Sequence, residues 1–450
     1  MISDAWLQLT AAFGVLAETH PATAPAGAGA NTPAVFAFIG ALLTVAALFS
    51  YLNFKLLRLP RTTALMIMSL GVSAVLYALA RAHVPSAEAI RGLVESIPFR
   101  LLLLDGLLGV LLFAGALHVN LGDLLAHKGP IATFALLGTL GSTAAVGGML
   151  YLLSGLLGLE LRFIECLLFG ALISPTDPIA VLGTLKRVHA PKSLEVQIGG
   201  ESLFNDGVGV VLFITLLEIA GGHHATAGGI AGTFAVEAVG GIALGLALGY
   251  AAYRLLRSVD NYQVEVLITA ALVTGGYSLA AALHTSGPLA MVAAGLLIGN
   301  HGRRLAMSER TRHHIDTFWE LIDEILTAVL FVLIGMEALV LTLSGQLLLA
   351  GALAVPMVLL ARFATVGVPV ALMRTRARFA PRAVSVLTWG GLRGGISVAL
   401  ALSLPGETPE QRATRATLLT ITYVVVAFSI IVQGLTIGRL VRGAGQAERP

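Results

Sequence analysis

Residues 199–209 read Gly-Gly-Glu-Ser-Leu-Phe-Asn-Asp-Gly-Val-Gly. They lie inside a largely apolar stretch, residues 194–220, that is long enough to cross a bilayer as a helix, which takes about 20 residues. An ionised side chain at the centre of such a helix costs roughly 2.5–3.5 kcal/mol on insertion scales, so Glu201 and Asp206 point to ion pairing or to a water-filled site. Asp206 stands about 12 residues into the stretch, about 18 Å along the axis and near the midplane. Helical spacing puts Ser202 and Asp206 on one face and Glu201 and Asn205 on the adjoining one. One helix can therefore present Asp206 to a cavity while Glu201 looks toward a neighbour.

The rest of the chain supports a membrane setting. It has 450 residues, of which 56% are hydrophobic and 12% charged, whereas soluble domains carry roughly 25% charged residues. That composition excludes an ordinary soluble enzyme and a disordered chain. Cys166 is the only cysteine, so no internal disulfide framework is available. A net charge of +3 does not make a nucleic-acid surface. Thirteen apolar stretches are predicted to cross: 34–52, 62–82, 100–119, 129–157, 163–185, 194–220, 229–253, 263–283, 286–300, 316–341, 347–373, 382–404 and 416–438. They lack strand-period alternation, so the expected fold is all-α and polytopic.

Orientation follows from the basic residues. Twenty of the 28 Lys and Arg fall in the loops on one side of these spans, counting the final tail, and six fall on the other. Arg362 and Arg393 lie within spans. The bias places the N-terminus outside and the C-terminus in the cytoplasm. Residues 1–33 contain no Lys or Arg and read as an uncleaved exposed lead, the alternative being a weakly amphipathic interfacial segment around Ala5–Leu16; 441–450 read as a short cytoplasmic tail. No loop has room for a nucleotide-binding domain and no P-loop occurs, so neither nucleotide nor cofactor is expected.

Two further spans carry midplane polarity. The fifth contains Ser-Pro-Thr-Asp-Pro, 174–178; the twelfth contains Trp-Gly-Gly-Leu-Arg-Gly-Gly-Ile-Ser, 389–397. Asp177, Glu201, Asp206 and Arg393 together would cost on the order of 10 kcal/mol if unpaired. Pro178 has no N–H to offer the carbonyl of Ser174, and four glycines surround Arg393, so both helices are predicted to break. Interrupted spans at corresponding places of two three-span units, here 4–6 and 11–13, mark transporter binding sites. Hard monovalent cations prefer carboxylate, hydroxyl and carbonyl oxygen. Desolvation favours the protonated form of a buried carboxyl and a nearby guanidinium opposes it, so proton and cation would compete for one place.

These residues resemble the monovalent cation:proton antiporter family of sodium/proton exchanger type, NhaP-like in bacteria. The similarity rests on 169–178 and 200–207, on Phe-Trp-Glu at 318–320, on 330–337, on 391–397 and on Val-Gln-Gly-Leu-Thr at 432–436. It implies thirteen helices with inverted repeats and broken helices 5 and 12 crossing beside the site. It implies a core of about 129–220 and 347–440, a dimerisation unit of about 34–128 and 221–346, a homodimer in the bacterial inner membrane, and elevator-like movement. By motif match Asp206 takes either cation or proton. Asp177, Thr176 and Ser202 complete the cation site, and Glu201 pairs with Arg393. Asn205 stands where electrogenic relatives carry a second acid, which implies one-for-one exchange. The implied partners are Na⁺, with Li⁺ or K⁺ as alternatives, H⁺ and the lipid bilayer, and the implied role is sodium and pH homeostasis. No resident metal is implied.

The same residues depart from the family at two places. Ala114 replaces an acid that many relatives carry in the third span, with Asp105 a turn or two earlier reading as a span-end residue, and Thr327 stands where many have Asn. Glu320, Asp323 and Glu324 read either as a cytoplasmic funnel or pH-sensing cluster, or as a solvated helix end. Arg362 reads as a snorkelling or paired structural arginine rather than a ligand, and Gly240, Gly241, Gly245 and Gly249 as a close helix contact at a dimer surface. His223–His224 and His313–His314 do not suggest a metal site. A cation channel or membrane sensor is the competing class, but two interrupted helices around a titratable midplane acid favour alternating access. An intramembrane hydrolase would need a midplane His beside a serine, and His118 and His284 fall at span ends.

Overall fold

A computed structural model describes residues 32–85, 88, 91, 92, 94, 99, 101–187, 190–221, 227–342, 344–374, 379, 380 and 382–445. The N-terminal lead, His223–His224 and the side chain of Asp105 lie outside the described residues. Among those described there is helix and no strand.

The helices that matter for the site follow in chain order. They are α1 (Thr32–Leu52), α2 (Arg61–Arg81), α3 (Gly109–Leu117), α4 (Lys128–Leu157), α5 (Phe163–Ile173), α6 (Ile179–Arg187), α7 (Lys192–Ala220) and α8 (Ala227–Leu256). There follow α9 (Tyr262–Ala282), α10 (Gly287–Leu297), α11 (Glu309–Glu337), α12 (Gly345–Met373), α13 (Ala383–Trp389), α14 (Gly395–Leu402), α15 (Pro409–Phe428) and α16 (Gly434–Gly445). Among the described residues, helix occurs in each of the thirteen apolar stretches, and eight helices are long and apolar enough to cross a membrane. Helix α11 is excluded from those eight by the acids and bases along its first half, from Glu309 to Glu324.

Local chemistry sets the ends. Asn261, Ser286, Ser308 and Thr408 each cap the following helix with a side-chain oxygen that accepts main-chain N–H groups. Gly158, at φ +66°, turns the chain out of α4. Helix α7 is buried along most of its length, between α5, α4, α10 and the α13–α14 region. Helix α8 is buried over little of its surface.

One expectation is corrected here. The glycines of the seventh span, now in α8, do not form a dimer surface. They face α10 and the two residues before it within the same chain: a Cβ at Gly240 would meet Thr285, one at Gly241 Ser286, one at Gly245 Ala290 and one at Gly249 Ala294. Absence of side chains lets two backbones approach, and α10, short and rich in small residues, fills that space.

Candidate functional site

The fifth apolar stretch is helical to Ile173, non-helical over Ser174–Pro178, then helical again from Ile179. The twelfth is helical to Trp389 and resumes at Gly395. These two non-helical linkers meet. The Asp177 N–H donates to the Leu392 carbonyl at 2.7 Å. Arg393, 2% exposed, donates through one guanidinium nitrogen to the carbonyls of Ser174 at 2.6 Å and Pro175 at 3.1 Å. Ser174 lost its helical donor because Pro178 has none, so the arginine satisfies a carbonyl that proline orphaned. Gly394 permits the approach: a Cβ there would lie 2.6 Å from the Asp177 Cβ.

Helix α7 closes one side. Asn205 holds Thr176 at two points, accepting from its N–H at 3.3 Å and donating to its Oγ1 at 2.8 Å. The Ser202 hydroxyl shares a hydrogen bond with the same Oγ1 at 2.9 Å. Asp206 is 6% exposed, and its Oδ1 has no hydrogen-bond partner among the described residues. A buried carboxylate oxygen without a donor is costly unless something else occupies the place.

Asp206 faces a cavity of about 710 Å³ that Thr176 and Asp177 also line. Its other walls come from α2, α3 and α11 and include Arg61, His118, Glu320, Asp323, Glu324 and Thr327. Five carboxylates and two arginines, Arg61 and Arg187, line it, so the lining favours a cation. Asp323 lines the same cavity as Asp177 and His118. Arg61 and Glu324 form a half-exposed ion pair at 2.7 Å.

The structure thus brings together Asp206, Asp177 and Thr176 on one cavity, with Glu320, Asp323 and Glu324 toward its outer part. Ser202 is not on the cavity wall; its hydroxyl reaches the site through Thr176. The expected Glu201–Arg393 pair is not formed. Glu201, 1% exposed, is held in two-point fashion by Arg362 of α12: one nitrogen donates to Oε2 at 2.8 Å and the other to Oε1. Arg362 also donates to the Leu387 carbonyl at the end of α13, at 3.3 Å. The physical reason is the linker geometry, which commits the Arg393 guanidinium to two carbonyls and leaves Glu201 to the other buried arginine. Gly391 lets Arg362 through, since a Cβ there would lie 2.7 Å from its Nε.

Sequence reasoning allowed Arg362 a paired structural role but assigned Glu201 to Arg393, so it missed the identity of the pair, although the same midplane cost that singled out Arg393 applies to Arg362. It also missed His118, whose Nδ1 lies 2.8 Å from the Ala114 carbonyl on the cavity wall. The Thr327 hydroxyl lines the cavity without a hydrogen-bond partner among the described residues.

Residues 34–443 match the profile described as sodium/hydrogen exchanger, transmembrane. The chain is 49% identical over 411 residues to the Na(+)/H(+) antiporter NhaP of Pseudomonas aeruginosa, covering 90% of this chain and 96% of that protein. It is 34% identical over 415 residues to the Na(+)/H(+) antiporter NhaH of Halobacillus dabanensis, covering 91% and 98%. Its fold is similar to the solved sodium proton antiporter MjNhaP1 of Methanocaldococcus jannaschii, with TM-score 0.71 at 20% identity over 91% of this chain and 98% of that one. The chain belongs to the sodium/hydrogen exchanger family, whose members are secondary transporters and not enzymes.

Proposed function

We propose that this protein exchanges Na⁺ for H⁺ across a membrane by letting the two ions compete for Asp206. The observation that carries the proposal is the Asp206 Oδ1: buried, without a hydrogen-bond donor among the described residues, and facing an acid-lined cavity beside Asp177 and Thr176. Cation binding needs the ionised carboxylate, and protonation removes it, so occupancy by one ion excludes the other. The names of the similar bacterial proteins support Na⁺ as the cation. Asp177 and Thr176 supply further oxygen ligands, and Asn205 and Ser202 position Thr176. Asn205 adds no charge to α7, which supports one cation per proton.

The structural features that support alternating access are the two interrupted helices, α5–α6 and α13–α14, joined through their linkers. Thirteen crossings, a core of about 129–220 and 347–440 and a dimerisation unit of about 34–128 and 221–346 fit this reading. So do a homodimer and an elevator-like displacement of the core. The excess of basic residues on one side supports an external N-terminus and a cytoplasmic opening of the cavity.

The test is proton flux in proteoliposomes under Na⁺, Li⁺ or K⁺ gradients, with and without an imposed potential. Na⁺-driven flux that ignores the potential is expected. A conductive flux that needs no counter-ion would indicate a channel and defeat the proposal, and a response to K⁺ alone would reassign the cation.

A further inference from the structure

A second crevice, of about 560 Å³, shares no lining residue with the acid-lined cavity and lies between α12, α13 and α16. Its wall is mixed in a specific way. Arg382 and Arg439 stand on it with no carboxylate among the lining residues. Phe363, 56% exposed, Trp389 and Leu440 supply apolar surface. The Trp389 indole N–H donates to Thr436 Oγ1 at 2.8 Å, which fixes the ring across the crevice from α13 to α16.

Arg382 is held unusually. It immediately precedes α13 with φ +58°, a left-handed conformation that few residues other than glycine adopt and that the surrounding structure must sustain. Arg374 ends α12 on the same side, and the connecting loop 374–382 has four arginines and no acid in its sequence. The crevice therefore sits on the rim that the distribution of basic residues assigns to the cytoplasm. Two cations above an aromatic and aliphatic slot, between membrane helices at that depth, match a phospholipid with an anionic headgroup and its acyl chains.

We propose that this crevice binds one anionic phospholipid, its phosphate between Arg382 and Arg439 and its chains along Phe363, Trp389 and Leu440. The wall is tied to the ion site. Gln433 donates to the Trp389 carbonyl at 2.8 Å, Ser429 donates to Gln433 at 2.6 Å, and the Arg393 N–H donates to Ser429 at 2.8 Å. A lipid seated here thus rests against the same half-helix that carries the Arg393 linker.

The proposal rests on the membrane placement argued above but not on the identity of the transported ion. Its test is accordingly a binding measurement without a gradient. The full chain, delipidated in detergent, is titrated with phosphatidylglycerol or chain-matched phosphatidylcholine, and bound lipid is counted by native mass spectrometry. One phosphatidylglycerol per chain is expected to bind at least about tenfold more tightly than phosphatidylcholine. Arg382→Gln with Arg439→Gln should erase that preference, and Arg254→Gln with Arg257→Gln should leave it intact.

Equal binding of both lipids by the unaltered chain would overturn the proposal, and that result needs no variant to fold. Undiminished preference in the Arg382/Arg439 variant would overturn it as well. So would displacement of the lipid by millimolar inorganic phosphate, which would indicate a simple anion site. A change in oligomeric state without a change in lipid binding would make the crevice a protein interface and end the proposal.

Discussion

The guanidinium of Arg393 donates to the Ser174 carbonyl at 2.6 Å, and this contact joins two linkers that lie 219 residues apart in sequence. It couples the two interrupted helices at the point where each lacks its own helical hydrogen bonds. An arginine is suited to this because one planar group can donate to the adjacent Ser174 and Pro175 carbonyls together.

Replacing Arg393 by Met should leave both carbonyls buried without donors, at about 1–3 kcal/mol each. Thermal unfolding in detergent is expected to shift downward, with Na⁺-driven proton flux lost. Arg393→Lys retains the charge and one donor direction and should recover part of the stability but little of the flux. Wild-type stability in Arg393→Met would show that the linker contact is incidental.

Glu201 and Arg362 form a buried pair, and removing one partner strands the other. Glu201→Gln or Arg362→Met alone is expected to cost about 3–5 kcal/mol, whereas Glu201→Met with Arg362→Met should cost much less than the sum. A double-mutant cycle on unfolding free energy checks this. Additive losses would mean that the two side chains are not coupled.

Asn205 holds Thr176 at two points, and in the proposed site it acts through that residue. Asn205→Ala removes two hydrogen bonds, about 1 kcal/mol each, so the apparent Na⁺ affinity should fall on the order of tenfold or more. The maximal exchange rate should change far less. Titration of flux against Na⁺ separates the two, and an unchanged affinity would remove Asn205 from the site.

Asp323 shares its cavity with Asp177, Glu320 and Glu324. Asp323→Asn is expected to raise the Na⁺ concentration for half-maximal flux a few-fold at low ionic strength, with a smaller effect at high salt, because the interaction is long-range and screened. The assay is flux at two concentrations of an inert salt. Complete loss of flux at saturating Na⁺ would instead make Asp323 part of the exchange site.

Much of this arrangement was legible from residue chemistry. Pro178 alone predicts the loss of the Ser174 helical bond, and the glycines around Arg393 predict the second break, since both are local backbone effects. The placement of Asp206 followed from span length and helical rise. The partner of Glu201 did not follow, because pairing depends on which of two buried arginines reaches it. That was decided by carbonyls orphaned in another helix and by the open space at Gly391. The α8 glycines were readable as a close contact, but not as an intrachain one, because spacing along a helix does not name the opposing surface. The role of Ser202 was displaced by one step for the same reason: helical spacing puts it on the Asp206 face, while its hydroxyl is taken by Thr176.

The most direct test of competition at Asp206 is the number of protons released when Na⁺ saturates the purified protein in weakly buffered detergent, read with a pH-sensitive dye across a range of starting pH. The account predicts release approaching one proton per Na⁺ bound where the site begins protonated, falling toward zero as pH rises, and no release and no Na⁺ binding in Asp206→Asn. Na⁺ binding without proton release at every pH, or equal release by Asp206→Asn, would contradict it.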